Sequence, residues 1–114
     1  MEVFLVDNPI SKPRLKDIAR EQFGELVKAV VDIRKGVMAI GGELHSDEEA
    51  FLLESGSRQQ DLWGINLYPD LELPEMLEFD SLINIRPSQN NRSRGVEDSA
   101  VRDEILRVVC QLVQ

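Results

Sequence analysis

Between Leu26 and Ile40 the chain carries the pattern that most limits what it can fold into. Val27, Ala29, Val31 and Ile33 alternate with Lys28, Val30, Asp32 and Arg34, a period of two in a run rich in β-branched residues. A strand with one dry face satisfies this alternation, whereas a helix would scatter the apolar side chains around its axis. Lys35-Gly36 then reads as a tight turn into Val37-Met38-Ala39-Ile40, a partner run that Gly41 and Gly42 weaken or bend. The expectation is an antiparallel hairpin.

The flanking segments extend this pattern into a complete domain. Val3 to Val6, closed by Asp7-Asn8-Pro9, reads as a first strand. Ser11 can N-cap a helix with Pro13 in its first turn, Leu15, Ile18, Ala19, Gln22 and Phe23 at helical spacing, and Gly24 as its stop. Ser46 with Glu49 has the spacing of a capping box and predicts a short helix through Ala50-Phe51-Leu52-Leu53, with His45 as the residue that enters it. Asp61 to Tyr68 alternates Trp63, Ile65 and Leu67 against Leu62, Gly64, Asn66 and Tyr68, and a longer strand is expected from about Leu77 to Arg86. Asp98 caps a last helix with the apolar stripe Val101, Ile105, Val108, Val109 and Leu112. Together these predict an α+β domain, a single-layer antiparallel or mixed sheet of about five strands with three helices covering one face, in the order β-α-β-β-α-β-β-α.

A chain of 114 residues fits a single domain, residues 1–114. With 42% hydrophobic and 30% charged residues its composition is that of a globular chain, neither disordered nor membrane-embedded. The acid at Glu2 and the short apolar run Val3-Phe4-Leu5-Val6 suit neither a signal nor a transit peptide, so the expected location is the cytoplasm. Cys110 is the lone cysteine; its place near the stripe of the last helix predicts a buried, inert thiol. A formal net charge of -8 repels nucleic acid and acidic membranes and makes basic proteins the better partners. The acids are concentrated from Glu43 to Glu54 and from Asp70 to Asp80, runs without Lys or Arg that commonly form solvated faces.

Against this acidic background, Arg86-Pro87-Ser88-Gln89-Asn90-Asn91-Arg92-Ser93-Arg94-Gly95 stands out as a basic island between a strand-like run and a helix start. Arg86, Arg92 and Arg94 with Ser88, Asn90, Asn91 and Ser93 supply the donors that a phosphate or carboxylate would want. The island is no P-loop, since Gly95 lacks a second glycine and the Lys-Ser/Thr pair. A competing account has the arginines held by the protein's own carboxylates, from Asp80, Glu97 or the acidic clusters, and slightly outweighs the ligand account. A second candidate is the polar strand row of Asp80, Asn84 and Arg86, which alternation would put on one side, facing Lys28, Asp32, Asn66 or Asp61. Such a row suits a small polar ligand or an acid-base pair, and equally a solvated sheet face.

Dedicated metal chemistry has little support. His45 is the sole histidine, and Glu43 with His45 is too small a ligand set for a zinc site; no calcium-loop pattern occurs. No metal or cofactor is expected. No Gly-x-Ser-x-Gly elbow is present, and one tryptophan and one tyrosine do not make a base-stacking platform.

The segments Leu26-Val27-Lys28-Ala29-Val30-Val31-Asp32-Ile33, Ala39-Ile40-Gly41-Gly42-Glu43-Leu44-His45, Asp61-Leu62-Trp63-Gly64-Ile65-Asn66 and Ile83 to Gln89 with Asn91 to Asp98 resemble a family of small prokaryotic proteins grouped as a domain of unknown function. The resemblance covers most of the chain and carries over no catalytic residue. An antitoxin-like role, loosely associated with relatives, would imply a protein partner.

The leading expectation is a binding module for a small anionic ligand, using Arg86, Ser88, Asn90, Asn91, Arg92, Ser93 and Arg94 with Asn84, Asp80 and Asn66. The alternative is an acidic protein-interaction domain, antitoxin-like, a homodimer through a strand edge or the last helix. A hydrolase acting on an anionic substrate through Asp80 or Asp61 ranks third. No reaction can be read from the residues, and an enzyme is the less favoured class.

Overall fold

The computed structural model describes residues 2–114. Its elements run β1 (Phe4–Val6), α1 (Lys12–Gln22), β2 (Val27–Asp32), β3 (Val37–Ile40), α2 (His45–Glu54), β4 (Leu62–Leu67), β5 (Leu77–Glu78) and α3 (Ser99–Leu112). The five strands form one antiparallel sheet in the order β1-β3-β2-β4-β5. This is the α+β order expected from the residue pattern, with β2 and β3 paired as the hairpin.

Register follows from which side chains each strand can bury. Ala29 lies opposite Ile40 and Ile65, and Val31 opposite Met38 and Trp63, so their apolar side chains share one face. Leu15, Ile18 and Ala19 of α1 and Ile105, Val108, Val109 and Leu112 of α3 pack onto that face. Ser11 caps α1 by accepting from the Arg14 N–H at 3.2 Å, and Gly24, at a φ of 91°, takes the left-handed turn that ends it. The two ends of the chain are tied together: the Ile10 N–H donates to Leu112 O at 2.7 Å and the Gln114 N–H to Ile10 O at 2.9 Å.

The opposite face is covered as well, which corrects the expectation of helices on one side alone. Val30, Ala39 and Leu62 are buried there beneath Leu52 and Phe51 of α2 and Ile83 of the segment after β5. A half-apolar row on β2 forecast one dry face, but Val30 leaves enough apolar surface on the other to bury a short helix. Only the end of this face that carries Lys28, Asn66 and Glu78, which lie opposite one another across three strands, keeps a polar row.

Helix α2 begins at His45, with Leu44 in the extended cap position and no side-chain cap, so the Ser46–Glu49 capping box does not form. Ser46 already lies inside the first turn. The glutamate that reaches back is Glu48, whose Oε2 accepts from the Gly42 N–H at 3.1 Å. Cys110 is exposed, not buried: it falls on the outer side of α3, between the buried Val109 and Leu112 turns.

The expected strand from Leu77 to Arg86 stops at Glu78. The Ser81 Oγ accepts from the Ile83 N–H at 3.3 Å, and Leu82–Asn84 makes a short 3-10 turn that leaves the sheet plane. Gly64 makes room for this crossing, because a Cβ at that position would sit 2.5 Å from the Ser81 Cβ. The edge of β4 that a longer strand would have paired is met by side chains instead. Asn84 Nδ2 donates to Gly64 O at 2.9 Å, its Oδ1 accepts from the Gly64 N–H at 2.8 Å, and an Arg86 terminal nitrogen donates to Leu62 O.

Candidate functional site

The basic island divides into three parts with different fates. Its inner residues are structural. Arg86 is buried, donates to the carbonyls of Gln59 and Leu62, and stacks its guanidinium 4.1 Å from the centre of the Trp63 ring. Asn91, also buried, donates through Nδ2 to Asn84 O at 2.7 Å and Gly95 O at 2.8 Å and accepts from the Glu97 N–H at 2.8 Å, which knits the loop. Asn84 is committed to Gly64. The polar row of Asp80, Asn84 and Arg86 therefore does not form as a row, because the chain turns between its members.

The outer residues Ser88, Asn90, Arg92 and Ser93 face solvent, with Asn90 in the left-handed region at a φ of 61°. Here the loop already holds an anion of its own. The Glu97 Oε2 accepts from the backbone N–H groups of Arg92 at 2.7 Å and Ser93 at 3.0 Å, and these bonds hold its carboxyl below the usual range. The Arg92 guanidinium makes no hydrogen bond among the described residues.

Arg94, Asp80 and Asn66 belong to a third neighbourhood, at the polar end of the sheet face. Arg94 Nε donates to Asp80 Oδ1 at 2.6 Å, while its terminal nitrogens have no hydrogen-bond partner among the described residues. Asn66 is buried; its Nδ2 donates to Glu78 Oε1 at 2.9 Å and approaches Asp80 O at 3.5 Å, and its Oδ1 has no partner. Tyr68 donates its hydroxyl to the same Glu78 oxygen at 3.1 Å. Lys28, opposite Asn66 on β2, makes no hydrogen bond or ion pair among the described residues; its Nζ lies 5.0 Å from the centre of the Phe23 ring.

His45 joins this group from the first turn of α2. Its Nε2 lies 2.7 Å from Ile65 O, and because a carbonyl can only accept, Nε2 carries the proton. Nδ1 is then the lone-pair nitrogen of the neutral ring. Burial pulls the imidazole below its ordinary value, more than the Ile65 carbonyl restores, with Lys28 and Arg94 lowering it further and Asp80 opposing them. The ring is thus neutral at pH 7 and lies within electrostatic reach of Lys28, Asp80 and Arg94. Its position as helix-entry residue was legible in the sequence; its meeting with Lys28 and Arg94 was not, since these residues are far apart along the chain. Five segments contribute here: β2 through Lys28, α2 through His45, β4 through Asn66, the residues after β5 through Asp80, and the island through Arg94.

Other residues weighed from the sequence take no part. Asp32 is buried and accepts from the Ser57 hydroxyl at 2.6 Å and from the N–H groups of Arg34 and Lys35 at 2.9 Å, organising the hairpin turn. Asp61 pairs with Arg58 at 3.3 Å. Among the described residues no three His, Cys, Asp or Glu side chains converge as metal ligands, and no helix is long and apolar enough to cross a membrane. A shallow hollow of about 20 Å³ between α1 and the turn after β4, lined by Lys16, Arg20, Glu25 and Asp70, has room for little more than one water.

Comparison with curated proteins and with solved structures yields no match to either. A family model described as a protein of unknown function, DUF5674, matches residues 4–112, in keeping with the resemblance carried by the motifs. The chain belongs to that family.

Proposed function

We propose that this protein is a binding module for a small anionic ligand, seated against Lys28, Arg94 and His45 at the polar end of the sheet. The observation that carries this reading is that Lys28, opposite Asn66 on the sheet, and the outer nitrogens of Arg94 make no hydrogen bond among the described residues at the polar end of the face that His45 joins, Arg94 keeping only its Nε contact to Asp80. In a chain of net charge -8 acids are plentiful, so donors left unspent at the polar end of a half-buried sheet face suit an anion from outside. The first turn of α2 has no side-chain cap; the Asp47 and Glu48 N–H groups already donate to Leu44 O, which leaves those of His45 and Ser46. The island contributes Arg94 alone, while Arg86 and Asn91 hold that residue's loop in shape.

The test is thermal stabilisation by a panel of inorganic phosphate, sulfate and small organic acids, on the native chain and on Lys28→Ala, Arg94→Ala and Arg92→Ala. The reading expects stabilisation by at least one anion, lost in the Lys28 and Arg94 variants and kept in the Arg92 variant. Loss in the Arg92 variant alone would move the site to the outer loop. No stabilisation of the native chain by any anion would remove the reading altogether.

A further inference from the structure

The donors and acceptors of the Lys28–Arg94 neighbourhood are not evenly mixed, and their separation says more about the ligand than its charge alone. Resting on the reading of this place as an anion site, we propose that the ligand is a small zwitterion, an α-amino acid, whose carboxylate meets Lys28 and Arg94 and whose ammonium meets Asp80, Asn66 and His45.

The formal charges come first. Asp80 and Glu78 lie at the same end of the face as Lys28 and Arg94, so an anion held by the two cations binds less tightly than one that also carries a positive group for the two carboxylates. A ligand that places a positive group beside its negative one removes the conflict. Hydrogen bonding points the same way. Both Asn66 Nδ2 contacts run to the Glu78 side chain and the Asp80 backbone, which fixes the amide and leaves Oδ1 as a buried acceptor without a donor. His45 spends its one N–H on Ile65, so Nδ1 is a second acceptor, and the free oxygen of Asp80 is a third. An ammonium carries three N–H groups and no acceptor, which matches this set. A hydroxyl would serve one of the three, and the one or two P–OH groups of a phosphate bring negative charge toward the Asp80 carboxylate.

Asn66 Oδ1 is closed off from solvent in the free protein, so seating the ammonium requires a cover to move. The segment of Asp80, whose carbonyl is 3.5 Å from Asn66 Nδ2, is the neighbour able to give way: the Asp80 and Arg94 side chains are 43% and 54% exposed and are held together by one hydrogen bond. Exchanging their mutual contact for the two ends of a zwitterion keeps both charges paired.

His45 is the sole histidine, so its ring nitrogens give unambiguous NMR signals. The experiment titrates the native chain with each common L-amino acid, with propionate, with ethylamine and with inorganic phosphate, following the His45 Nδ1 resonance and the dissociation constant. The expected result is an amino acid that binds at least about tenfold more tightly than propionate and shifts Nδ1. Asn66→Leu, which keeps the shape but removes the acceptor, should erase that preference; if it does not fold, the native titrations decide. Propionate or phosphate binding as tightly as every amino acid overturns the zwitterion and leaves the anion site standing. Ethylamine matching the best amino acid, or no response to any probe, overturns both.

Discussion

The side chain of Asn84 pairs with the backbone of Gly64 as if it were a peptide of a neighbouring strand, donating to the carbonyl at 2.9 Å and accepting from the N–H at 2.8 Å. It stands in for the strand that ends at Glu78 and closes the edge of β4 with one amide. Asn84→Ala leaves both Gly64 groups buried and unpaired and also removes the bond to Arg94 O at 3.0 Å. The expected loss is about 2–4 kcal/mol of unfolding free energy, measured by urea denaturation, with the loop that carries Arg94 loosening at the same time. A loss below about 0.5 kcal/mol would mean that water satisfies Gly64 as well as the amide does.

Gly64 also faces Ser81, whose Cβ and Oγ lie 2.5 and 2.6 Å from where a Cβ would stand. Gly64→Ala should therefore destabilise the protein by overpacking, by about 1–3 kcal/mol. Ser81→Gly in the same chain removes the colliding atoms, although it also removes the Ser81 cap on the Ile83 N–H. A double-mutant cycle is expected to show a favourable coupling between the two changes. Additive effects would place the strain elsewhere.

Arg86 is held by shape as much as by charge. Its planar fork spans two backbone carbonyls while its face lies on Trp63, a geometry that an ammonium cannot copy. Arg86→Lys should then cost about 2–4 kcal/mol and shift the fluorescence of Trp63, the sole tryptophan, toward that of a wetter indole. Ligand binding at Lys28 and Arg94 should survive wherever the variant is folded, since Arg86 lies outside that neighbourhood. Native stability and an unchanged emission spectrum would show that Arg86 is not a pin.

How far the residues alone reveal this arrangement depends on the range of the interactions. The hairpin, the Ser11 and Asp98 caps and the apolar stripe of α3 rest on neighbours within a few positions, and each was legible: Asp98 accepts from the Ala100 N–H at 2.8 Å, as its place before the stripe implies. The alternation from Leu77 to Arg86 misled, because Gly64 and Asn84, far apart in the chain, combine to end the strand. The end of the Ser46 capping box has the same origin, since Glu48 finds Gly42 and His45 finds Ile65 across the fold. The candidate site is made of such long-range meetings. Strand alternation puts Lys28 and Asn66 on one polar face and the charge pattern marks Arg94, but nothing local to His45 announces that it joins them.

Glu48 makes stability depend on pH in a direction opposite to that of most carboxylates. It is fully buried, one oxygen accepts from the Gly42 N–H, the other has no partner, and burial pushes its carboxyl from 4.5 up to about 9, against the lowering effects of Gly42 and Lys28. The folded state therefore keeps a proton that the unfolded chain gives up above pH 4.5. Its contribution is full below that pH and is lost as the pH rises through about 9. His45 acts oppositely and only toward acid, because its value is lowered from 6.5. Comparing native chain and Glu48→Gln between pH 7 and 10 thus isolates Glu48. The variant should gain on the native chain by about 1.4 kcal/mol per pH unit until about pH 9, after which the difference levels off. Denaturation midpoints that change in parallel for the two chains across this range would show that Glu48 is ionised in the folded protein at neutral pH.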